Sequence, residues 1–281
     1  MRVLVVGASG FIGKHLVAAL SARGDDVATA SLRDPQAAAR MADGYDAVVN
    51  LAGSNVAQKW TAESKREMLE SRTEAPRRFI IALGGLAHHP RAYVSASAVG
   101  YYGMSESATF VESSLPGDDF LADVCVRWEA EAHRAQDLGL RVAIVRTGIA
   151  LGRGGGALAK ILPPFSAGLG GKIGTGKQWF SWVHVDDVVG IYLLALDGVD
   201  GTLNASAPHP VTNAEFTKTL GSLLHRPTLL PTPTFALRAM LGEGIVAVTH
   251  GQRALPERTQ ALGYSFKYPN LEGALQEILS K

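Results

Sequence analysis

A glycine-rich turn stands directly after a short apolar run at the start of the sequence. Arg2–Val6 is a valine-rich run that predicts a buried strand, and residues 7–13 read GASGFIG. The next nine residues carry apolar side chains at helical spacing. This order of strand, turn and helix predicts a dinucleotide-binding unit, in which Gly7 permits the turn, Gly10 admits a pyrophosphate and Gly13 lets the helix pack on the strand. The alternative is a tight turn without a ligand.

The end of the second predicted strand, Asp26–Ser31, decides between the two nicotinamide cofactors. In such folds an acidic residue there binds the 2′-hydroxyl of the adenosine ribose, whereas an arginine accommodates the 2′-phosphate. This chain has Ser31, Leu32 and Arg33, which favours NADP(H). Asp34 comes one residue too late and precedes a proline, where a turn is expected. The alternative is that Arg33 is an ordinary surface residue.

Strand-like and helix-like segments alternate over most of the chain. Beyond the first two, the segments typical of buried strands are Tyr45–Gly53, Arg91–Ser97, Arg141–Thr147 and Gly201–Ser206. A long polar helix is predicted over Ala62–Leu83 and another helix over Asp118–Gln136. This alternation predicts an α/β fold with a doubly wound parallel sheet. Asn50–Gly53 then lies at the carboxyl end of a strand, where such sheets bind ligands.

The totals of the sequence exclude several kinds of protein. With 281 residues, 47% of them hydrophobic, the chain suffices for one large domain or a domain with a smaller lobe. A net charge of +1 gives no electrostatic footprint for nucleic acid or an anionic membrane. A single cysteine excludes an internal disulfide. No apolar run is long enough to cross a bilayer, and a strand from residue 2 leaves no room for a signal peptide, so we expect a cytoplasmic protein.

The composition changes after the fifth predicted strand. Gly152–Gly156 and Ala167–Gly176 are glycine-rich loops, and such loops after a nearly complete sheet usually shape a substrate cleft. Residues 178–187 follow and read QWFSWVHVDD. The three aromatic residues predict either an apolar floor for a ligand or the packing between two lobes. The stretch from His184 to Asp187 is interpreted as a helix cap, because Asp favours helix N-termini, with a metal site or an acid–base site as the alternative.

Six segments together resemble the extended short-chain dehydrogenase/reductase superfamily, and most of all its atypical, sugar-nucleotide-epimerase-like subgroup. They are GASGFIG at 7–13, NLAG at 50–53, SASAVGYYG at 95–103, RTGIALGRGGGAL at 146–158, GLGGKIGTGKQWFSWVHVDD at 168–187 and the tail from about 234. The resemblance implies a Rossmann sheet with a small mixed C-terminal substrate lobe. The Rossmann core spans 1–165 with 183–210 returning to it, and the lobe comprises 166–182 and 211–281. Within the lobe, 234–281 resembles the subgroup's C-terminal domain of unknown function.

The resemblance also assigns cofactor contacts residue by residue. They are Gly7, Gly10, Phe11, Ile12 and Gly13 at the pyrophosphate; Ser31 and Arg33 at the 2′-phosphate; Leu51, Ala52 and Gly53 along the adenine and ribose; Glu67 and Arg72 on the following helix; and Ala150 beside the nicotinamide carboxamide. Members of this family bind NAD(H) or NADP(H), and with Arg33 the expected cofactor is NADP(H).

The chain departs from the family where the family has its catalytic pair. Ordinary members carry Tyr-x-x-x-Lys on the helix after the fourth strand, and the lysine lowers the tyrosine pKa so that the phenol transfers a proton near neutral pH. Here Leu121 and Cys125 occupy those places, and Cys125 is expected to pack among apolar neighbours. Ser97 matches the serine that holds the reacting oxygen, and Tyr101 or Tyr102 is a candidate proton donor. Alternatively these three are polar groups that line the cleft.

Two functions remain open from the sequence. One is an NADP(H)-dependent oxidoreductase or epimerase acting on a small carbonyl or alcohol substrate, for which the resemblance suggests a nucleotide sugar. Lys172 and Lys177 are then the candidates to bind its diphosphate. The other is a catalytically silent NADP(H)-binding protein with a regulatory or redox-sensing role, which the missing catalytic pair favours. We expect no metal, nucleic-acid or membrane partner, and family analogy implies a homodimer.

Overall fold

The buried apolar runs of the sequence form the strands of the protein. The computed structural model describes residues 1–280, so Lys281 at the end of the predicted helical tail lies outside it. Its strands are β1 (Arg2–Val6), β2 (Asp26–Ala30), β3 (Ala47–Asn50), β4 (Ala92–Ala98), β5 (Thr109–Phe110), β6 (Arg141–Thr147), β7 (Ile149–Leu151), β8 (Trp179–Phe180), β9 (Trp182–His184), β10 (Gly201–Ala205), β11 (Val211–Thr212) and β12 (Arg253–Ala254). Each of the long predicted strands is among them, within a few residues of its expected bounds.

The long strands form one parallel sheet. They lie in the order β2-β1-β3-β4-β6-β10, and every neighbouring pair is parallel. The chain passes from β1 to β2 on one side and then crosses to β3 on the other, so the order reverses between β1 and β3. Doubly wound sheets bind ligands at this switch point, outside the carboxyl ends of the strands. The predicted doubly wound α/β fold is confirmed, and pairing of Val6 with Asn50 brings residues 7–13 beside 50–53.

Helices cover both faces of the sheet. Those within residues 1–280 are α1 (Phe11–Arg23), α2 (Pro35–Met41), α3 (Ala62–Glu70), α4 (Glu74–Leu83), α5 (Phe120–His133), α6 (Leu158–Ser166), α7 (Val185–Leu196), α8 (Asn213–Leu223), α9 (Thr234–Leu241), α10 (Val246–Thr249), α11 (Glu257–Ala261) and α12 (Leu271–Leu279), with 3-10 turns at Val99–Tyr102, Arg134–Leu138 and Glu243–Ile245. Val3 and Val5 pack with α1 and α7, whereas Leu4 and Val6 pack with α2 and α4. Successive strand residues point to opposite faces, so this apolar run is buried on both.

The helix predicted over Ala62–Leu83 is two helices in the structure, α3 and α4. The break lies at Ser71–Thr73, and its physical cause is Pro76, which has no N–H to donate to the carbonyl of Arg72. Proline is tolerated in the first turn of α4 because the amides there lack helical partners in any case. The break leaves Arg72 between the two helices, with its guanidinium against Gly53.

The C-terminal part of the chain builds a second core beside the sheet. Its apolar residues come from α6, β9, α8 and α12, and Trp182 and Phe216 are buried among them. Phe180 stacks on Phe216 with 4.3 Å between the ring centroids. α8 begins with a capping box between Thr212 and Glu215. The exact division of the chain into two domains stays a prediction.

Candidate functional site

The glycine-rich turn after β1 is closed against the end of β3. Gly7 has a φ of +80°, a conformation that favours glycine, and a Cβ there would lie 2.9 Å from the amide nitrogen of Ala52. A Cβ on Gly13 would lie 2.6 Å from the carbonyl oxygen of Gly7, so any side chain there displaces backbone. The Gly10 carbonyl accepts from the Lys14 amide as α1 begins. The amides of this first turn have no helical partner, which makes the start of α1 a site suited to phosphate.

Phe11 and the loop after β7 lie on the other side of this turn. Residues 7–13, the end of β3 at residues 50–53 and the glycines of the loop at 152–156 are together called the glycine cradle. A Cβ on Gly155 would lie 2.5 Å from Cδ2 of the Phe11 ring, and one on Gly152 would lie 2.8 Å from its Cζ. A Cβ on Gly156 would lie 2.8 Å from the same ring and 2.7 Å from the carbonyl oxygen of Ala150. Phe11 and Ala150, which come from separate motifs, therefore meet at one place. Three further residues expected at the cofactor pack partly buried on the cores of the sheet: Ile12, Leu51 and Ala52.

The end of β2 is open to solvent. Ser31 and Arg33 are both exposed, and the Arg33 amide donates to Ser31 Oγ at 3.3 Å. Asp34 accepts from the amide of Ala37 at 2.9 Å and so caps α2, in the turn where the sequence places it. Within the described residues, no carboxylate lies at ion-pair distance from Arg33. Its guanidinium is therefore free to bind an anion.

Arg72 is a buried cation without a carboxylate partner in the described part of the chain. It is 8% exposed, and burial lowers the pKa of its guanidinium. Nη2 donates to the carbonyl of Ser54 at 2.9 Å and Nη1 to that of Met68 at 3.2 Å. A buried charge that lacks a counter-charge is costly, so this position suits an anionic ligand. Glu67, expected beside it, is exposed on α3, and within residues 1–280 no hydrogen bond or ion pair joins the two side chains.

A cavity of about 320 Å³ lies at the carboxyl ends of β4 and β6. Ala98–Gly100, Thr147–Ile149, α5 and the segment after α9 form its mostly apolar wall. Leu121 and Cys125, which stand at the places of the catalytic pair, both line it. Burial raises the pKa of the Cys125 thiol to about 12, so the thiol stays protonated at neutral pH. Arg72 lines the cavity as well, so the cavity begins where the glycine cradle ends.

Two of the hydroxyls expected in catalysis belong to a buried hydrogen-bond network. Ser97 Oγ donates to Glu129 Oε1 at 2.6 Å, and Arg146 donates to both oxygens of Glu129 at 2.8 and 2.7 Å. Tyr102 donates to Asn204 Oδ1 at 2.7 Å and accepts from Arg146 Nη1 at 3.1 Å. Burial raises the pKa of Tyr102 to about 12, although the guanidinium opposes this change. These hydroxyls already have partners.

The catalytic role of Ser97, Tyr101 and Tyr102 stays a prediction, and the structure shows what lies around these side chains. Within residues 1–280, the lining of the cavity includes none of Ser97, Tyr101 and Tyr102. The Tyr101 ring instead covers the guanidinium of Arg146, whose Cζ lies 3.3 Å from the ring centroid. The physical reason is that the charge of Arg146 is buried. The polar and aromatic groups around it stabilise this charge in place of water.

Glu129 and Arg146 are the polar residues that sequence reasoning missed. Arg146 interrupts the apolar strand RVAIVRT, and a charge within a buried strand indicates a buried partner. Burial opposes its charge, but the hydrogen bonds and the charge of Glu129 raise the pKa of Arg146. The partner was not identifiable from the pattern, because α5 also carries Asp123 and Glu131. Only the packing of α5 on β6 selects Glu129.

The aromatic residues of the second half divide between the cavity and the lobe. Trp179 lines the cavity, whereas Phe180 and Trp182 pack in the core of the lobe. Phe180 and Trp182 are thus packing residues, and a ligand-binding role for Trp179 stays a prediction. Lys172 and Lys177, the candidates for a diphosphate, are exposed and do not line the cavity.

The HVDD stretch caps a helix. His184 Nδ1 accepts from the Asp186 amide at 3.1 Å at the start of α7, and buried Asp187 accepts from the Tyr264 hydroxyl at 3.1 Å and from two amides. His184 Nδ1 is thus committed to the cap of α7, and the Asp187 carboxylate to the contact between α7 and the C-terminal tail. Among residues 1–280, no group of three or more His, Cys, Asp or Glu side chains could hold a metal ion.

Comparison with known proteins gives matches over nearly the whole chain. The model of the NAD dependent epimerase/dehydratase family matches residues 3–206, and that of a domain of unknown function, DUF1731, matches residues 232–278. Epimerase family protein SDR39U1 of Homo sapiens is 40% identical over 295 residues, with 100% of each chain covered. Its chloroplastic homolog in Arabidopsis thaliana is 41% identical over 304 residues, which cover 99% of this chain and 87% of the relative. The cytoplasmic location stays a prediction, and no helix in residues 1–280 is long and apolar enough to span a membrane.

Solved structures agree with these matches. The crystal structure of human epimerase family protein SDR39U1 (isoform 2) with NADPH has a TM-score of 0.93 and 39% identity, with 99% of each chain covered. UDP-glucose 4-epimerase of Thermotoga maritima with UDP-glucose has a TM-score of 0.82, covers 99% and 97% of the two chains, and at 19% identity shows the fold alone. The resemblance seen in the sequence motifs is confirmed. This chain belongs to the NAD-dependent epimerase/dehydratase family and carries its C-terminal part as a DUF1731 domain.

Proposed function

We propose that this chain binds NADP(H) and acts as an oxidoreductase or epimerase on a carbonyl or alcohol substrate. One observation carries the proposal: Arg72 lies against Gly53 in the glycine cradle and also lines the cavity. The cofactor-binding residues and the space for a substrate are therefore continuous. The human relative crystallised with NADPH supports the choice of cofactor.

The residues of the cradle fit a dinucleotide. At Gly7 and Gly13 a Cβ would collide with backbone, so only glycine permits this tight turn, which leads directly into the unpartnered first amides of α1, where a pyrophosphate binds. Arg72 offers a buried positive charge that has no counter-charge in the described residues. Arg33 offers an exposed guanidinium at the end of β2, where a 2′-phosphate is recognised. We therefore assign these residues to NADP(H), together with the others expected from the resemblance.

The residues of the cavity bind the substrate and exclude water. The nicotinamide, when bound, supplies or accepts the hydride at the substrate carbon. Leu121 and Val124 present an apolar wall, which favours a reacting carbon in a dry site. A single water molecule held beside the substrate, not bulk solvent, exchanges the proton on the substrate oxygen in this proposal, because the Ser97 and Tyr102 hydroxyls are engaged elsewhere. This chain thus positions the substrate without a tyrosine acid.

Binding of NADPH and NADH, followed by nicotinamide fluorescence, tests the cofactor assignment. Arg33→Ala and Arg33→Asp are expected to weaken NADPH binding by about one to two orders of magnitude and to leave NADH unchanged, because only NADPH has the 2′-phosphate. Arg91→Ala, a change at another exposed arginine, is the matched control and leaves both affinities unchanged. Equal affinity of the parent protein for both cofactors contradicts the NADP(H) assignment, and failure to bind either contradicts the proposed function.

The second function is the silent NADP(H)-binding protein, which the engaged hydroxyls of Ser97 and Tyr102 favour. Mixing NADPH-loaded protein with a panel of small aldehydes and ketones separates the two, since only an enzyme loses nicotinamide absorbance. Once turnover is found, Ser97→Ala and Tyr101→Phe test the sequence-based assignment directly. Turnover abolished with NADPH affinity intact would restore a direct catalytic role for these hydroxyls, and retained turnover supports their role in the network.

A further inference from the structure

Large apolar side chains are exposed in two segments of the second half of the chain. Within the described residues, eleven large hydrophobic side chains are exposed, and five of them come from residues 168–177 and 224–241. They are Leu169, Leu229, Leu230, Phe235 and Met240. Single exposed hydrophobic residues are normal on a protein surface, but a contiguous group of them marks an interaction site.

Backbone contacts place the two segments side by side. The Thr232 amide donates to the carbonyl of Lys172 at 2.9 Å, and the Thr232 hydroxyl donates to the carbonyl of Gly171 at 3.0 Å. Leu169 and Leu230 each stand two residues from one of these contacts, and both are exposed. The apolar side chains of the two segments therefore belong to one surface.

The charged side chains of the two segments are all positive. Together the segments contain four Lys and Arg and no Asp or Glu; the cations are Lys172, Lys177, Arg226 and Arg238. All four are exposed, and within residues 1–280 no carboxylate lies at ion-pair distance from any of them. The carboxylates that flank the second segment are engaged, because Glu215 accepts from the Thr212 amide and Glu243 pairs with Lys65. We call the exposed side chains of residues 168–177 and 224–241 the apolar–basic patch.

The leucine pair of this patch stands on a rigid loop. Leu229 and Leu230 lie between Pro227 and Pro231, and a third proline precedes α9. Leu229 is 89% exposed and Leu230 is 79% exposed, so both side chains protrude from the surface. Proline fixes φ, and such a loop loses little conformational entropy when its side chains become buried against a partner.

The occupant of the patch must carry negative charge and accept protruding side chains. A second copy of the chain does not meet the first condition, because face-to-face docking would bring the cations together without a carboxylate between them. An anionic bilayer meets both conditions: its headgroups attract Lys and Arg, and its interface takes up Leu and Phe side chains without a matching pocket. Phe235 and Arg238 stand three residues apart on α9 and suit this arrangement.

We propose that the apolar–basic patch docks this protein on the surface of a bilayer that contains anionic lipids. The exposed leucines and Phe235 enter the interface, while the cations of the patch contact the lipid phosphates. The expectation of no membrane partner was based on the net charge of +1 for the whole chain, which conceals this local excess of positive charge. Peripheral docking of this kind needs no spanning helix, and it does not depend on the proposed function.

Sedimentation of the full chain with lipid vesicles tests the docking. One set of vesicles is phosphatidylcholine alone, and the other contains roughly 30% phosphatidylglycerol, so that its surface is anionic. Binding to the anionic vesicles is expected to be at least about tenfold tighter than binding to the neutral ones. It is also expected to weaken as the salt concentration rises, because salt screens the attraction between exposed cations and headgroups.

Two double variants separate the apolar part of the patch from its charge. Leu229→Ser with Leu230→Ser is expected to weaken binding to anionic vesicles by at least about tenfold. Arg226→Gln with Arg238→Gln removes two of the four cations and is expected to reduce the preference for anionic vesicles. The matched control is Leu115→Ser, which changes an exposed leucine outside the patch and leaves binding unchanged. All these side chains are exposed, so thermal unfolding and NADPH affinity stay as in the parent protein.

Four outcomes overturn the inference. The first two are an absence of binding to anionic vesicles and equal binding to both kinds of vesicle. The third is a dimer, seen by light scattering, that Leu229→Ser with Leu230→Ser dissociates, which assigns the patch to a second copy. The fourth is binding of soluble polyglutamate as tightly as anionic vesicles, which assigns the patch to an acidic protein. Failure of the parent protein to bind NADPH contradicts the proposed function and leaves this inference standing.

Discussion

The cavity lies between two regions built in opposite ways. On one side, the glycine cradle offers backbone: Gly7 and Gly13 leave no space for side chains, and the amides of α1 stay free. On the other side, α5 and the strand ends offer side chains whose polar groups bind one another, as Glu129 and Arg146 do. We call the first the open region, because the first amides of α1 have no partner in the helix. We call the second the closed region, because its polar side chains bind one another. Both lie at the carboxyl ends of the same sheet.

This difference indicates that cofactor binding and acid–base chemistry are separable in this fold. A backbone cradle depends on close approach, which a few glycines secure, whereas a proton-transfer site depends on one side chain with a tuned pKa. Leu121 and Cys125 stand where the resemblance expects the family's catalytic pair, and both line the cavity. Under the proposed function, the chain keeps the cofactor-binding half of the site and presents a mostly apolar wall in place of the other half.

The largest expected effect comes from the closed region. Glu129→Gln leaves Arg146 buried without a counter-charge, so the free energy of unfolding is expected to fall by about 3–5 kcal/mol. Asp123→Asn, which removes the exposed partner of Arg127 on the same helix, is the control and changes it by less than about 1 kcal/mol. Urea unfolding measures both. A loss below about 1 kcal/mol in Glu129→Gln shows that the buried charge of Arg146 does not depend on Glu129.

The next effect tests the open region. In Gly13→Ala the new Cβ would lie 2.6–2.8 Å from the backbone of Gly7 and Ala8, so the cradle must distort. NADPH affinity is expected to fall by roughly 100-fold, or about 2.8 kcal/mol. Gly273→Ala, in α12 with open space around it, is the control and leaves affinity unchanged while raising helix stability by about 0.5–1 kcal/mol. Unchanged NADPH affinity in Gly13→Ala means that the cofactor does not occupy this turn.

The smallest effect concerns pH and lies outside both regions. Burial lowers the pKa of His184 in the folded protein, although Glu277 at 3.2 Å opposes this change. The unfolded chain therefore takes up the proton first, and stability falls as the pH drops below about 6.5. The slope stays under ~1.4 kcal/mol per pH unit, the limit for one proton. Unfolding measured from pH 7.5 to pH 5.5, as roughly the range in which histidine titrates, checks it.

His184→Asn is the variant for this measurement, because Asn keeps a cap for α7 and does not titrate. It is expected to flatten the slope, whereas the same change at His89, exposed in a loop, leaves it as it was. A slope that persists in His184→Asn assigns the pH dependence of stability to another group.

The sheet and the cradle were readable from sequence because their signals are local. RVLVV followed by GASGFIG predicts a strand and a glycine turn from neighbouring residues alone, and the strands found lie within a few residues of those expected. The missing Tyr-x-x-x-Lys was equally visible. Where local reading failed, as in the single helix expected over Ala62–Leu83, the overlooked cause was Pro76 and its lost hydrogen bond.

The partners of the buried polar groups were decided by tertiary structure alone. Ser97, Tyr101 and Tyr102 stand in the motif positions of a catalytic site, yet Arg146 enters their neighbourhood from β6 and Glu129 from α5. A buried charge must be satisfied by whatever groups the packing brings within reach, and those contacts join residues far apart in the chain. The sequence thus determined the glycine-rich turn after β1, and packing decided which partners the buried polar groups have.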